Sequence, residues 1–500
     1  MRTGLLALPL LLLAGCQQVE GTSEETVLRR MGSIQFRPCT LDGGRTGEGL
    51  QAQCGTLSVA EDPAQPEGRH IDLRIAWLPP EEGRKGEPDP VFFLAGGPGQ
   101  AATDVAWAVQ LALKDINQTR DLFFIDQRGT GGSNPLDCRN ALGEPLEMDP
   151  AVSDAAGIAA YAHTCLASLS GRADPRFYST SHAIDDLEAV RQALGAPQVN
   201  LIGASYGTRV AQQYAARYPD HTRTVVLDGV APNDLVIGAE FAQTFQRAIE
   251  AQSALCRADA ACAARFPTDT VAQLRHVIDA LRQSPRTVKY RDPATAQWVE
   301  EVLPADAVVG LAFNFSYSPE MAALLPVVVD EAAKGRYEGL ASLARLAGQS
   351  VAGGINRGMQ WSVICTEDAG RQSAAPVAGS DTLLGQEAAQ LFYAGCDAWP
   401  RGQAPAGFTQ PLTSDVPALL LSGELDPVTP AAYAERVVAG LPNGRHLVAR
   451  GRSHGTLSAG CMPDLLAQFV DSADATALDA TCLDALRPVP PFTSFNGWEP

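Results

Sequence analysis

The 500-residue chain has no Cys-x-x-Cys or His-Glu-x-x-His spacing, no basic run and, beyond its first residues, no apolar stretch of membrane-spanning length. The missing metal-ligand spacings leave a zinc or thiol-redox site without support, so no metal or cofactor is expected. The formal charge of −19 argues against nucleic acid or an anionic membrane surface as a partner. No internal repeat is visible.

The length and the hydrophobic content indicate a large folded protein. A chain of 500 residues exceeds one ordinary domain, and a hydrophobic content of 45% is ample for a core. We therefore expect a large α/β unit that carries a second domain or a big insertion.

The one long apolar run stands at the N-terminus. A positive start is followed by an apolar run too short to span a bilayer permanently, which is typical of an export signal. The run ends in Leu-Ala-Gly-Cys at Cys16, which resembles the bacterial lipobox; an ordinary cleaved signal is the alternative. We predict a lipoprotein signal peptide over 1–15, lipidation of Cys16, and a tether and N-terminal segment over 16–50. The protein would then be exported and meet a membrane only through this anchor.

The cysteine count fits an exported protein. Of eleven cysteines, ten remain if Cys16 carries the lipid. Ten cysteines in an exported chain suggest five disulfides, and the cost of loop closure favours pairing between near neighbours. The expected pairs are Cys39–Cys54, Cys138–Cys165, Cys256–Cys262, Cys365–Cys396 and Cys461–Cys482.

A strand-to-helix turn around Ser205 is the strongest catalytic motif. The apolar run 199–202 breaks at Gly203-Ala204-Ser205-Tyr206-Gly207 and continues as a helical pattern that stops at a proline. Glycines on both sides allow one sharp reversal that exposes the serine oxygen, so we predict that Ser205 is a nucleophile. The alternative is a tight turn with an incidental serine. A second Gly-x-Ser-x-Gly surrounds Ser453, but glycines and a proline follow too closely for a helix, and we interpret it as a loop.

Buried strands alternate with helices before and after the Ser205 turn. The early strands 51–60 and 70–78 look antiparallel, whereas later apolar runs alternate with helices, which predicts a parallel sheet covered on both faces. The predicted later strands are 91–94, 122–126, 199–202, 224–228, 416–422 and 444–449, and the predicted helices are 104–114, 155–168, 183–194, 431–439 and 464–470. The alternation stops for residues 235–405, which are mostly helical and too many for a loop, so we expect a cap domain there.

Two residues fit the partners that a serine nucleophile needs. A histidine must take the hydroxyl proton, and a buried carboxylate must orient that histidine. In this kind of sheet the chain order is Ser, acid, His, each after a strand. Asp426 follows the 416–422 strand and is favoured over Glu424 because Asp-Pro marks the turn. His454 follows the 444–449 strand, whereas His446 opens it.

Two further roles are predicted for residues near the proposed triad. Thr429 precedes a proline at a helix start, which favours helix N-capping, with support of Asp426 as the alternative. The oxyanion of acyl transfer needs backbone donors, one of them the N–H of Tyr206. The other lies in the glycine turn after the 91–94 strand, at Gly97 or Gly99, and we choose Gly97.

The motifs together resemble a known family. Gly96-Gly97-Pro98-Gly99, the Asp-Gln-Arg-Gly-Thr-Gly-Gly-Ser of 126–133, the Ser205 turn and the Gly-Glu-Leu-Asp-Pro-Val-Thr-Pro of 423–430 look like α/β-hydrolase peptidases related to prolyl iminopeptidase. The closer match is the exported bacterial tripeptidyl-aminopeptidase-like (TAP-like) branch, over about residues 50–485. Ala95 departs from the pattern, since relatives often carry histidine there.

The resemblance implies an α/β-hydrolase fold with a mainly parallel sheet and a large, mostly helical cap. It also implies release of short peptides or single residues from free N-termini, although the family contains members assayed mainly as esterases. The predicted division is 51–234 for the first part of the core, 235–405 for the cap, 406–490 for the C-terminal TAP-like part and 491–500 for a tail.

Three hypotheses about the function of the protein remain open. An exopeptidase must bind an ammonium group, and a closed site requires hydrogen-bonded carboxylates for this. The candidates are Glu367 and then Asp368, which follow a buried-looking run, with a solvated turn as the alternative. The hypotheses are a serine aminopeptidase, a carboxylesterase with the same triad, and a noncatalytic surface lipoprotein. Peptide or ester is the expected partner.

Overall fold

The computed structural model describes residues 28–497 apart from 44–46, 81–85, 141, 147, 149–153, 373–380 and 386. The predicted signal peptide and Cys16 lie outside the described residues. Within the described part, no helix combines the length and the hydropathy needed to cross a bilayer.

Twelve strands occur in the described part of the chain. They are β1 (Arg29–Met31), β2 (Ile34–Leu41), β3 (Leu50–Ala60), β4 (His70–Leu78), β5 (Val91–Leu94), β6 (Leu122–Ile125), β7 (Val199–Ala204), β8 (Thr222–Asp228), β9 (Arg286–Arg291), β10 (Trp298–Leu303), β11 (Ala418–Gly423) and β12 (Gly444–Ala449).

Sixteen α-helices occur in the same residues. They are α1 (Ala102–Ala112), α2 (Lys114–Asn117), α3 (Ala155–Ser168), α4 (Thr180–Leu194), α5 (Tyr206–Arg217), α6 (Phe241–Ala258), α7 (Ala260–Arg265), α8 (Thr270–Gln283), α9 (Ala305–Phe315), α10 (Pro319–Ala322), α11 (Leu325–Ala333), α12 (Glu338–Gly354), α13 (Arg357–Glu367), α14 (Glu387–Tyr393), α15 (Ala431–Val438) and α16 (Met462–Ser472).

Ten of these strands form one sheet in the order β1-β2-β3-β4-β6-β5-β7-β8-β11-β12. The pairs from β1 to β6 are antiparallel, and the five pairs from β6 to β12 are parallel. This is the predicted α/β-hydrolase sheet, with β7 near its middle. Because β7, β8, β11 and β12 are neighbours and parallel, the loops after them open at one edge.

Both faces of the parallel half are buried, as its continuous apolar runs require. In β5, Phe92 and Leu94 face one hydrophobic cluster, which includes residues of α4 and α5. Val91 and Phe93 face the other cluster, which includes residues of α1 and α16. Alternate side chains of one strand thus anchor helices on opposite faces, which holds the strand ends in fixed positions.

A separate helical region is inserted between β8 and β11. Helices α6, α8, α9, α11 and α12 share a hydrophobic cluster of their own, with Phe245, Leu274, Val308 and Val328 among its members. The hairpin β9–β10 belongs to the same region and pairs antiparallel. The region is mostly helical, as expected, but the sequence analysis missed the hairpin.

The N-terminal strands also differ from the prediction. Within the predicted tether and N-terminal segment, Arg29–Met31 forms β1 and Ile34–Leu41 forms β2, which pairs with β3, whereas the sequence predicts no strand there. In β2, Ile34 and Phe36 are buried while the intervening Gln35 is exposed. The alternation covers too few residues to stand out from a polar segment.

The structure contains the five disulfides that the sequence predicts: Cys39–Cys54, Cys138–Cys165, Cys256–Cys262, Cys365–Cys396 and Cys461–Cys482. They close loops with sequence separations of 6 to 31 residues.

Candidate active site

Ser205 lies at the sharp turn between β7 and α5, where the backbone has φ 55° and ψ −122°. A positive φ is unusual for a serine, and two backbone hydrogen bonds stabilise it here. The Ser205 N–H donates to the carbonyl of Asp228 over 2.8 Å, and the Ser205 carbonyl accepts from the N–H of Thr208 over 2.9 Å. The side chain is partly exposed at the sheet edge, as a nucleophile requires.

The flanking glycines are required by close backbone approach. A β-carbon on Gly203 would lie 2.4 Å from the carbonyl oxygen of Gly207, and one on Gly207 would lie 2.1 Å from that of Leu94. The motif therefore allows β7 and α5 to approach each other and β5 without side chains between them.

The structure brings His454 and Asp426 together at the same edge. His454 follows β12, Asp426 follows β11, and Nδ1 of the imidazole lies 2.7 Å from Oδ2 of the carboxylate. The Asp426 side chain is fully buried, whereas His454 keeps 14% of its side chain exposed. A β-carbon on Gly229, the residue after Asp228, would lie 3.0 Å from Cε1 of His454. The segment Asp228–Gly229 thus adjoins both Ser205 and His454.

Asp426 is held as an acceptor by its own turn. Its Oδ1 accepts the N–H groups of Val428 and Thr429 over 2.9 and 2.8 Å, and its Oδ2 accepts the Thr429 hydroxyl over 2.8 Å. The same Thr429 oxygen lies 3.1 Å from Nδ1 of His454. Helix α15 has Pro430 as its N-cap without a side-chain cap. The N-capping role favoured for Thr429 is therefore wrong; the hydroxyl supports Asp426.

The rejected candidates lie in other environments. Glu424 is exposed and accepts the N–H of Gly451, while His446 meets the hydroxyl of Ser422. Ser453, in the second Gly-x-Ser-x-Gly, is buried and donates to the carbonyls of Ser316 and Leu425.

The two partners shift each other's protonation. Burial disfavours the imidazolium, but the charge and hydrogen bond of Asp426 and the charge of Asp228 outweigh it, so the pKa of His454 is raised. Burial likewise disfavours the Asp426 carboxylate, but His454 and the amides of Thr429 and Val428 keep its pKa below the usual value. Both shifts favour the ion pair that forms when His454 takes a proton.

The glycine turn after β5 lies between the nucleophile and the cap. A β-carbon on Gly96 would lie 3.1 Å from Cβ of Ser205. Gly97 and Gly99 both have positive φ, at 109° and 105°, and the Gly99 carbonyl accepts the N–H of Asn356, ahead of α13. The turn is close enough to Ser205 to supply an oxyanion donor; the choice of Gly97, with Tyr206, stays a prediction.

Glu367 and Asp368 are buried and engaged with this chain's own groups. Glu367 accepts the N–H and hydroxyl of Thr180 over 2.7 and 2.9 Å, and lies 3.7 Å from the Arg209 guanidinium. Asp368 contacts Arg209 over 3.2 Å and Arg371 over 2.6 Å. Their side chains are 1% and 0% exposed. Burial raises the pKa of Glu367 to about 7 despite the charge of Arg209.

The Thr180 hydroxyl links this cluster to the residue after the nucleophile. It lies 2.6 Å from the phenol oxygen of Tyr206, which also accepts from the Gln127 side chain over 3.2 Å. Helix α13, which ends at Glu367 and packs in the same hydrophobic cluster as α4 and α5, is therefore connected to the start of α5.

Tyr317 is a site residue that the sequence analysis missed. It follows α9 in the cap, and its ring meets that of His454 edge-on, with centroids 5.3 Å apart. The neighbouring Ser316 accepts the hydroxyl of Ser453, which fastens the cap to the His454 loop. No motif marks a single tyrosine of an inserted helix as a neighbour of the histidine, so only the packing identifies it.

The arrangement can activate a serine hydroxyl for attack on a carbonyl carbon. The Asp426 carboxylate holds the proton of His454 on Nδ1, which leaves Nε2 free to accept the proton of a nucleophile. Among the residues that the structure describes, no group of three or more His, Cys, Asp or Glu side chains is placed to hold a metal ion.

Two family profiles match parts of the chain. One is described as the alpha/beta hydrolase fold and matches residues 89–299, and the other is described as a TAP-like protein and matches residues 381–482. The first match includes the Ser205 turn, and the second includes Asp426 and His454.

The chain is also similar to named proteins. It is 28% identical over 354 residues to the serine protease Hip1 of Mycobacterium tuberculosis, covering 68% of this chain and 67% of that one. It is 29% identical over 200 residues to the tripeptidyl aminopeptidase of Streptomyces lividans, covering 36% and 35%. The crystal structure of proline iminopeptidase from Mycobacterium smegmatis is 16% identical, with a TM-score of 0.37 over 85% of this chain and all of that one.

Proposed function

We propose that this chain, which belongs to the TAP-like α/β hydrolases and is a serine hydrolase, is an exported serine exopeptidase that releases short peptides or single residues from free N-termini. The observation that carries the proposal is the arrangement at one sheet edge, where Ser205 occupies a strained turn beside the His454–Asp426 pair. Similarity to Hip1 and to tripeptidyl aminopeptidase supports a peptidase within this family.

The reaction in this proposal runs through an acyl-enzyme. His454 takes the proton of the Ser205 hydroxyl as the oxygen attacks the scissile carbonyl, and then donates it to the leaving amine. Asp426 stabilises the imidazolium, and the N–H groups of Gly97 and Tyr206 stabilise the oxyanion. Water, activated by His454, then releases the acyl group from Ser205.

Export is supported by the disulfides. Five disulfides are typical of an exported protein, because disulfides form and persist in oxidising compartments and are rare in the cytosol. Lipidation of Cys16 is part of the proposal and rests on the Leu-Ala-Gly-Cys sequence alone.

One observation favours a carboxylesterase as the second candidate. Both candidate carboxylates are buried and already paired within the chain, Glu367 with Thr180 and Arg209, and Asp368 with Arg209 and Arg371. Carboxylates already satisfied by internal donors have less to gain from a substrate cation. An uncharged acyl ester would use the same triad without them.

The deciding experiment compares chromogenic amides of one, two and three residues, with free and acetylated N-termini, alongside short acyl esters. We expect cleavage of the free peptides and at least tenfold slower cleavage of the acetylated ones, since acetylation removes the ammonium group. Ser205→Ala and His454→Ala should each abolish turnover with the fold intact by circular dichroism.

The controls separate the two candidate functions. Ser453→Ala is the matched serine variant and should remain active, because Ser453 is buried and is not the proposed nucleophile. Ester turnover without amide cleavage would replace the exopeptidase with the carboxylesterase and remove the proposed role of Glu367 and Asp368. Near wild-type turnover in Ser205→Ala would contradict both.

A further inference from the structure

Asp228 is a buried carboxylate that the reaction above does not use. It ends β8, between the strands that lead to Ser205 and Asp426, and only 2% of the residue is exposed. Within the described residues, no lysine or arginine forms an ion pair with it. Such a group is costly to bury unless hydrogen bonds and a nearby positive charge compensate it.

The Asp228 carboxylate holds the loop that carries His454. Its Oδ2 accepts the N–H of Thr456 over 2.7 Å and that of Leu457 over 3.2 Å, and its Oδ1 accepts the Thr456 hydroxyl over 2.8 Å. These donors stand two and three residues after the histidine. The three bonds hold the loop in place two and three residues after His454.

The backbone of the same residue holds the nucleophile. The carbonyl of Asp228 accepts the N–H of Ser205 over 2.8 Å, within the turn that has positive φ. One residue therefore contacts Ser205 and the loop that carries His454.

We propose that Asp228 is a positioning residue that sets the distance between Ser205 and His454 and whose carboxylate stabilises the imidazolium formed during turnover. A loop displacement of about 1 Å can cost on the order of 100-fold in rate, so a three-bond anchor on the histidine loop has a direct catalytic consequence. The inference rests on the proposed role of His454 as the base.

The electrostatic surroundings of His454 agree with this role. The groups that contact the imidazole are Asp426 and Thr429 after β11 and Tyr317 after α9, and the charge of Asp228 after β8 also acts on it. Of these, only the two aspartates are carboxylic acids. Burial raises the pKa of Asp228 above its usual value, and the bonds from Thr456 and the charge of His454 offset this only in part.

The test uses Asp228→Asn, which keeps the shape and the acceptor for the two amides but removes the charge. NMR of isotope-labelled histidine, with His454 assigned through His454→Gln, gives the pKa of the imidazole without requiring turnover. A failure of the proposed function would therefore leave this readout intact. We expect the pKa of His454 to fall by on the order of half to one unit.

The matched control is Asp126→Asn. Asp126 is also buried and also accepts an amide and hydroxyl from one threonine, Thr103, and a further amide, that of Gly132. Asp126→Asn should lower the free energy of unfolding about as much as Asp228→Asn does, without changing the pKa of His454. Equal pKa values in the wild type and Asp228→Asn, or equal shifts in both variants, would overturn the electrostatic part.

The positioning part is tested by Asp228→Ala and, should that variant not fold, by Thr456→Val, which removes one of the three bonds. On an acyl ester we expect kcat to fall on the order of 100-fold in the first and severalfold in the second, with KM changed less. A kcat within twofold of the wild type in a folded variant would overturn it.

Discussion

At the scale of single residues, the site depends on side chains and backbone held away from their relaxed states. Ser205 keeps a φ of 55°, a conformation that costs on the order of 1–3 kcal/mol for a residue other than glycine. Asp426 is fully buried and is kept ionised by donors from its own turn and from His454. Both costs are offset by the surrounding fold, which prearranges the groups before substrate arrives.

The coupling between Asp426 and His454 predicts a pH dependence. His454 must be neutral to act as a base, so kcat/KM falls as the pH drops below its pKa, which Asp426 raises. Removing that charge in Asp426→Asn should move the acidic limb to lower pH and reduce the plateau by on the order of 10⁴-fold. Ester hydrolysis from pH 5 to 9 measures both, and an acidic limb at the wild-type position would contradict the assignment of Asp426.

At the scale of elements, the nucleophile turn works because β5, β7 and α5 meet without side chains between them. The carbonyl of Leu94 in β5 occupies the space that a side chain on Gly207 would need. Helix α5 therefore starts directly at the sheet edge. This contact places the N–H of Tyr206 next to the nucleophile.

The close approach of Gly207 to the Leu94 carbonyl predicts that alanine is tolerated differently at two helical glycines. Gly207→Ala should lower the free energy of unfolding by about 1–3 kcal/mol, since its β-carbon would lie 2.1 Å from a backbone oxygen. Gly348→Ala, in α12 with open space around it, should be neutral or stabilising by up to about 1 kcal/mol. Urea-induced unfolding measures the free energy of unfolding of both variants. Equal stability of the two variants would contradict the close approach.

The elements that the sequence predicted are those with strong local signals. Strands β5 and β6 are short, wholly apolar runs, and β7 is apolar apart from Asn200. The loops after β7, β11 and β12 carry Ser205, Asp426 and His454. Strands β1, β2, β9 and β10 were missed because they lack a continuous apolar run: polar or charged residues such as Arg30, Gln35, Lys289 and Glu300 interrupt them. The roles of Thr429, Tyr317 and Asp228 depend on contacts between distant segments, which local patterns do not encode.

At the scale of the whole molecule, the site lies at the edge of the parallel half of the sheet. An inserted helical region and five disulfides belong to the same fold. The residues between β8 and β11 reach the catalytic loops at two places: Tyr317 and Ser316, after α9, meet the His454 loop, and Asn356, before α13, meets Gly99. The disulfide Cys365–Cys396 fastens α13, the helix that ends at Glu367. Substrate selection is therefore expected to depend on the cap, and chemistry on the sheet edge.

The disulfides give a prediction for the whole protein. Thiol titration of the denatured, unreduced mature protein should find no free cysteine, because ten are paired and Cys16 is proposed to carry a lipid. Removal of Cys365–Cys396 by Cys365→Ser with Cys396→Ser should destabilise the protein by about 2–4 kcal/mol. Several reactive thiols before reduction would contradict the pairing and, with it, the argument for export.

The measurement that tests the central claim most directly is the location of a covalent label. The enzyme is treated with a fluorophosphonate, which reacts with activated serines, and the modified peptide is identified by mass spectrometry in the wild type, Ser453→Ala and His454→Ala. The account predicts one adduct, on Ser205, in the wild type and in Ser453→Ala, formed at least about 100-fold more slowly in His454→Ala. An adduct on Ser453 or another serine, or labelling of Ser205 that does not depend on His454, would contradict it.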